Sequence, residues 1–344
     1  MSETVQSRLS AGPLSARPIA GSGFGAELDS GSLSAEDLVV LVEREPELLP
    51  RLLYAADGLL LVRGLQAIGD APELLLRLSR LFGTEVEDYR QTLTAPHMVH
   101  PSVPEIFIVS NKPPVNRQPP AAPEPPRTAD GGLPIRFPHR RGWHTDQSYR
   151  RPPPDVSLFY ALQPAPADQA QTLYANGYAA FETLPESLLE RVRDLHGLHA
   201  QPGTGRSEQA VRGGQPPSPL LAHQRPQRQP VVRVHPVTGR PALYLCEAGQ
   251  MDWIEGPFVG LEPGVDGEGA NLLYALMSHY TRPRFVHAHS WRRGDLIIYD
   301  NRSSIHCATW FDASRYERVM WRTTVAGNPG PEYAGEPKSW LPRA

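Results

Sequence analysis

GDLIIYDNRSSIHCA, spanning Gly294–Ala308, is the stretch on which the reading of the fold turns. Gly294 marks a turn, and Asp295–Tyr299 is a short β-prone run followed by Asp300 and Asn301, both turn-forming residue types. Ser304–Thr309 reads as the next strand, and its period of two sends His306 to one face and Cys307 to the other. Twelve residues beyond His306 begins RVMWRTTV, Arg318–Val325, in which Arg318, Met320 and Arg322 share a face. The residues between are enough for a turn, so the spacing predicts a hairpin that sets an arginine beside His306.

Outward from there the chain keeps the same character. Gly58–Arg63, Glu105–Ser110, Val156–Leu162, Gln171–Ala175, Val231–Val234, Ala242–Cys246 and Phe285–His289 are further short apolar or alternating runs. Thr238-Gly239, between two of them, is a hairpin signal. Helical spacing is confined to a segment capped by Ser34 (AEDLVVLVEREPELL), to Pro72–Leu81, to about Glu186–Leu195 and to Gly269–Tyr280. Many short strands with few helices predict a mainly β (α+β) fold, a sandwich or jelly roll rather than a doubly wound sheet. Residues 1–33, rich in Ser, Gly, Ala and Pro, are expected to be a flexible or loosely docked arm ahead of one domain over 34–344. Pro113–Pro138 holds nine prolines, and 201–230 is rich in Pro, Gly and Gln, so both are expected to be long loops that serve as lids.

The 344 residues can bury a sizeable core, and 40% apolar with 21% charged residues excludes wholesale disorder. No apolar run approaches the ~18 residues of a membrane span. The N-terminus lacks a basic-then-apolar leader, and a cytoplasmic protein is expected. Two cysteines, Cys246 and Cys307, exclude a disulfide framework. A net charge of −3 offers nucleic acid no attraction, so a small molecule is the expected partner, and a homo-oligomer is compatible with this composition. Of the 34 basic residues only Lys112 and Lys338 are not arginine, whose planar fork suits carboxylates and phosphates where several converge.

The segment Gly142-Trp143-His144-Thr145-Asp146 carries candidate chemistry. In extended backbone His144 and Asp146 project to the same side, so an imidazole and a carboxylate can share one divalent metal. Two histidines with one carboxylate form the ligand face of non-haem Fe(II) oxygenases, which leaves positions open for reactants. A guanidinium nearby is what a dicarboxylate co-substrate requires, because a bidentate pair fixes its distal end.

WHTD at Trp143–Asp146, QTLYANG at Gln171–Gly177, HPVTGRPALYL at His235–Leu245, GDLIIYDNRSSIHCA at Gly294–Ala308 and RVMWRTTVAG at Arg318–Gly327 follow in one order. In these motifs, over most of residues 58–327, the chain resembles the TauD/TfdA family of Fe(II)- and 2-oxoglutarate-dependent dioxygenases, whose type members oxidise taurine or aryloxyalkanoates. The resemblance implies a double-stranded β-helix, a cupin-like jelly roll, with His144, Asp146 and His306 as iron ligands. It implies that Thr172 and Arg318 bind the C5 carboxylate of 2-oxoglutarate, that O2 is the second co-substrate, and that Arg322 contacts the prime substrate. The implied reaction hydroxylates a C–H with release of succinate and CO2; desaturation or oxidative cleavage would start identically.

Departures from the family pattern bear on substrate. No histidine follows Phe82-Gly83 until His97, and the asparagine expected just before WHTD is absent, so taurine is not the expected substrate. Arg140 and Arg141, with Arg322, either form a cationic mouth for an anionic substrate or are solvated lid residues. Met251 and Trp253 either line the substrate pocket or pack beneath the lid. His287 and His289 make an HxH pair without a matching carboxylate or arginine and are read as structural, and His235 as bonded to backbone. A metal-dependent isomerase or hydrolase on a jelly roll would use the same triad without Arg318 and Thr172, and a non-catalytic binding protein would need no turnover.

Overall fold

Period-two alternation in the central strands is what stacks this chain into layers. The computed structural model describes residues 9–31, 33–92, 94–113, 118–121, 142–166, 169–247 and 249–326. In chain order its elements are β1 (Leu9–Ala11), β2 (Leu14–Pro18), β3 (Ala26–Asp29), α1 (Ala35–Arg44), α2 (Leu48–Ala55), β4 (Leu59–Val62), α3 (Glu73–Ser79), β5 (Phe107–Ser110) and β6 (Val156–Gln163). There follow β7 (Thr172–Asn176), α4 (Gly177–Glu182), α5 (Glu186–Val192), β8 (His196–His199), α6 (Glu208–Arg212), β9 (Gln227–Pro230), β10 (Val232–Val234) and β11 (Pro241–Leu243). The chain then runs through α7 (Glu268–Tyr280), β12 (Val286–His289), β13 (Leu296–Asp300), β14 (Ser304–Ala308) and β15 (Val319–Thr324).

Eight strands form one sheet in the order β1-β2-β3-β4-β13-β6-β15-β5, and β12-β7-β14 form a second. Along β13, Leu296 and Ile298 pack with Leu60 and Val62 of β4 against the leucines of α1–α3. Ile297 and Tyr299 point the other way, to Leu59, Leu61, Met320 and Tyr174 of β7, filling the space between the sheets. The outer face of the small sheet, with Leu173, Ala175, Ile305 and Cys307, packs on α7. The result is the mainly β, jelly-roll core expected, with helices on both outer faces. Gly294 (φ +82°) makes the turn into β13, and a Cβ there would sit 2.8 Å from the Gln66 amide nitrogen.

Four expectations are corrected. The arm is not loose over residues 9–29: β1–β3 extend the large sheet beyond β4, with Ala16, Ala26 and Leu28 in its core. Alternation of small residues over three to five positions is a weak β signal, and burial against neighbours supplies the rest. Residues 201–230 are not one long loop: they contain α6 and β9, and β9 pairs with β8. Within Pro113–Pro138 only Pro113 and residues 118–121 are described. The helix after Ser34 starts as read, with Ser34 Oγ accepting from the Asp37 amide at 3.1 Å, but Pro46 splits it into α1 and α2. Finally, β14 and β15 form no hairpin: β14 pairs with β7, and β15 with β5 and β6. The residues between them cross from one sheet to the other, so Arg318 and Arg322 face His306 across the sandwich.

The turn from β13 into β14 is anchored by buried charge. Arg302 Nη2 and Nε donate to the two Asp300 oxygens at 2.6 and 2.9 Å, Arg302 Nη1 lies 3.4 Å from Asp155, and His235 Nε2 lies 2.9 Å from Asp300 Oδ2. Burial pushes the Asp300 carboxyl up, but Arg302 and then His235 overcome it and hold it well below the usual carboxylate range. That stabilisation is complete above the ordinary carboxylate pKa and is lost as pH falls below it. No helix among the described residues is long and apolar enough to cross a membrane. Replacing Asp300 by Asn leaves Arg302 only the more distant Asp155 carboxylate, and denaturant unfolding at neutral pH should register a loss of about 3 kcal/mol; an unchanged midpoint would mean the network does not anchor this turn.

Candidate active site

Two backbone hydrogen bonds tie the WHTD segment to β14: His144 N to His306 O at 2.9 Å and His306 N to His144 O at 2.7 Å. They set the imidazole rings 4.3 Å apart, centroid to centroid. Asp146 completes the group. Ligand atoms of His144, Asp146 and His306 lie within 4.8 Å of one another, the one such cluster of His, Cys, Asp or Glu among the described residues. His144 Nδ1 donates to the Gly142 carbonyl at 2.6 Å, which leaves the lone pair on Nε2. His306 Nε2 lies 3.9 Å from Asp146 Oδ1.

Asp146 is held from several sides. Tyr299 of β13 and Ser157 of β6 donate to Oδ2 at 2.6 and 2.9 Å, and Arg322 of β15 donates to Oδ1. Asn301 braces this bracket: its Oδ1 accepts from the Asp146 amide at 3.2 Å and its Nδ2 donates to Ser157 Oγ at 2.9 Å. Burial pushes the Asp146 carboxyl up, but Arg322, then His306 and His144, overcome it and hold it below the usual carboxylate range. Burial, reinforced by His144, pushes His306 down to about 3 against the pull of Asp146. An ionised carboxylate and a neutral imidazole are the states that bind metal. Two imidazoles and a carboxylate can hold a cation such as Fe(II) or Mn(II), so the residues fit a non-haem iron centre.

A cavity of about 500 Å³ opens onto His144 and His306. Arg318, just ahead of β15, lies on its wall, buried, with its guanidinium 5.6 Å from the Phe159 ring centre. Among the described residues it has no ion pair, its Nε has no hydrogen-bond partner, and burial pushes its pKa down to about 10. Thr172, at the start of β7, lines the same cavity. Its Oγ1 accepts from Trp291 Nε1 at 2.9 Å, which leaves the hydroxyl proton available to an anion. Arg322 also lines the cavity, its guanidinium 5.2 Å from the Phe107 ring centre.

The structure thus gathers His144, Asp146, His306, Thr172, Arg318 and Arg322 around one space, although Arg322 also pairs with Asp146. Arg140, like Arg141, lies outside the described residues. Met251 and Trp253 are buried behind the small sheet, which favours packing over pocket lining. His289 bonds Asp295 at 3.1 Å, and His235 accepts from the Val237 and Thr238 amides as read. The reading missed Tyr299, Ser157, Asn301 and Trp291 as partners of the site. Tyr299 could have been flagged by its parity with Ile297, whereas Ser157 and Trp291 act through neighbours distant in sequence.

A family model described as "Taurine catabolism dioxygenase TauD, TfdA family" matches residues 15–324. The chain belongs to the TauD/TfdA family. Among curated relatives, the (S)-phenoxypropionate/alpha-ketoglutarate-dioxygenase of Sphingobium herbicidovorans is 32% identical over 56% of this chain and 64% of that protein. An alpha-ketoglutarate-dependent sulfate ester dioxygenase of Pseudomonas putida is 31% identical over 54% of this chain and 59% of that protein. The match therefore spans less than two thirds of these relatives' length. A crystal structure of AAD-2 in complex with Mn(II) and N-oxalylglycine superposes with a TM-score of 0.66 at 24% identity, covering 91% of this chain and 97% of that one. A taurine dioxygenase from Burkholderia xenovorans gives 0.59 at 22% identity, covering 96% of each chain. At these identities the likeness is one of fold.

In this TauD/TfdA member Arg318 is a buried cation without an ion pair among the described residues, which is a standing cost to the folded state. Arg318→Met should therefore raise stability of the metal-free protein by about 0.5–2 kcal/mol in denaturant unfolding; a marked loss would mean that the guanidinium already has an anionic partner.

Proposed function

We propose that this TauD/TfdA member is an Fe(II)- and 2-oxoglutarate-dependent dioxygenase that oxidises a C–H bond of a small anionic molecule. Arg318 carries the reading: a buried guanidinium, without a carboxylate among the described residues, sits on the wall of the cavity that His144 and His306 line, and Asp146 is clustered with those two histidines. A dicarboxylate co-substrate would supply the missing anion through a bidentate pair. Relatives named for phenoxypropionate and sulfate esters support both the reaction class and an anionic substrate.

His144, Asp146 and His306 would hold ferrous iron, which when bound supplies the redox chemistry with O2 and the keto acid. In the overall reaction one oxygen atom goes to 2-oxoglutarate, released as succinate and CO2, and the other to R–H, released as R–OH. The chain's own residues bind, orient and exclude water. Arg318 and the Thr172 hydroxyl take the C5 carboxylate, so the opposite end of the keto acid is directed at the histidines. Trp291 keeps the Thr172 hydroxyl aimed by occupying one of its lone pairs. Tyr299 and Ser157 hold Asp146 Oδ2 and leave Oδ1 on the His306 side. Phe107, Phe159 and Phe311 give the cavity apolar walls. Arg322 is assigned to the substrate's anionic group, with Arg140 as a further contact. A metal-dependent isomerase or hydrolase would have no use for Arg318.

His144→Ala or Asp146→Ala should abolish stoichiometric Fe(II) binding in a metal titration, and retained stoichiometry would contradict the ligand set. Arg318→Ala should keep the metal yet raise the 2-oxoglutarate requirement at least about 30-fold, equivalent to about 2 kcal/mol of a charge pair. An unchanged requirement would assign that carboxylate to another group. Succinate formation that depends on both O2 and a prime substrate separates this reading from the isomerase or hydrolase.

A further inference from the structure

Thr172 opens β7 and Arg318 precedes β15, yet one buried indole, that of Trp291, backs both of them. Toward Thr172 it donates Nε1–H to Oγ1 at 2.9 Å. Toward Arg318 it acts through Phe159: the indole and the Phe159 ring meet edge to face, 5.3 Å apart at 88°. The Arg318 guanidinium lies 5.6 Å from the centre of that same Phe159 ring. The angle of one ring plane thus bears on where a hydroxyl points and where a guanidinium rests. That plane is fixed from behind by His289 of β12, whose imidazole meets the indole at 84° with ring centres 4.4 Å apart. His289 stands opposite Thr172 in the β12–β7 register, and its Nε2 donates to Asp295 Oδ2 at 3.1 Å. Asp295 Oδ2 also accepts from Arg63 Nη1 at 2.8 Å and from the Arg292 amide at 3.0 Å, so the carboxylate itself is held.

Neither His289 nor Asp295 lines the cavity, and both are buried. A buried polar pair adds little stability over apolar packing of the same volume, so stability alone is a poor reason for it here. What such a pair does supply is direction: a hydrogen bond fixes a ring at one angle, and a binding group is only as well placed as the residues that support it. We infer that His289, anchored by Asp295, is a positioning residue for the keto-acid co-substrate. Through Trp291 it sets how strongly Thr172 and Arg318 take the distal carboxylate. The inference rests on the dioxygenase reading and deepens it, and it gives one histidine of the HxH pair a role beyond packing.

The test measures calorimetric binding to full-length protein loaded with Mn(II), with two probes. N-oxalylglycine carries a distal carboxylate like that of the keto acid. Oxalate also offers the metal a chelating pair of oxygens but has no distal carboxylate. His289→Ala should weaken N-oxalylglycine about tenfold, the scale of one hydrogen bond to a charged group, and leave oxalate unchanged. Trp291→Phe keeps a ring but loses the Nε1 donor, and should show the same selective loss. His289→Gln, whose amide can donate to Asp295, should recover part of the affinity lost in His289→Ala. N-oxalylglycine affinity equal to wild type in either of the first two variants overturns the inference. So does a parallel loss for both probes, which would mark a merely structural role. If His289→Ala fails to fold, Trp291→Phe decides by the same comparison. Wild type that binds Mn(II) and oxalate but not N-oxalylglycine overturns the dioxygenase reading, and this inference with it.

Discussion

An ionised carboxylate kept inside a β-sandwich is the constraint around which the rest is arranged. Asp146 is almost wholly buried, and burial alone would protonate it. What keeps it charged is contributed by both sheets: Tyr299, Ser157 and Arg322 from the large one, His306 from the small one. Each of those side chains sits on the inward face of its strand because strand alternation puts it there. A slip of one residue in β13 or β15 would turn Tyr299 or Arg322 to the outer core and leave the carboxylate without its donors. The register of four strands and the charge of one side chain are therefore the same fact seen at two scales.

Arg318 is the counterpart that has been left unbalanced. The buried charge of Arg302 is compensated by Asp300 and Asp155, and that of Arg206 by Asp252 at 2.7 Å. Among the described residues Arg318 has no ion pair, its guanidinium lies against the Phe159 ring, and a buried charge so placed is a cost to the folded state.

Strands were legible wherever a short apolar run was strong. Gly58–Arg63, Val156–Leu162 and Asp295–Tyr299 each match a strand to within a residue or two, because their apolar side chains face cores on both sides of the sheet. β1–β3 were not legible, since Ala and Ser at short spacing carry little preference until a neighbouring strand gives them something to bury against. The Pro-rich segment 201–230 hid α6 and β9 for the opposite reason: its composition argues for loop, and what holds β9 in place is pairing with β8 and hydrogen bonds from Gln229 to the Ser148 and Arg150 carbonyls, all distant in sequence. Polar partners such as Ser157 and Trp291 have no local signature at all.

The amino-acid order by itself determined the chemistry available: which residues bear imidazole, carboxylate and guanidinium, and which face of a strand each occupies, because a period of two is a local property of the backbone. It did not determine which strands are neighbours. That His306 and Arg318 approach across the gap between two sheets, rather than along a hairpin, was decided by the crossing of residues 309–317 from one sheet to the other. Pairing partners are chosen by the burial of whole faces, and that free energy exists only once both faces are present.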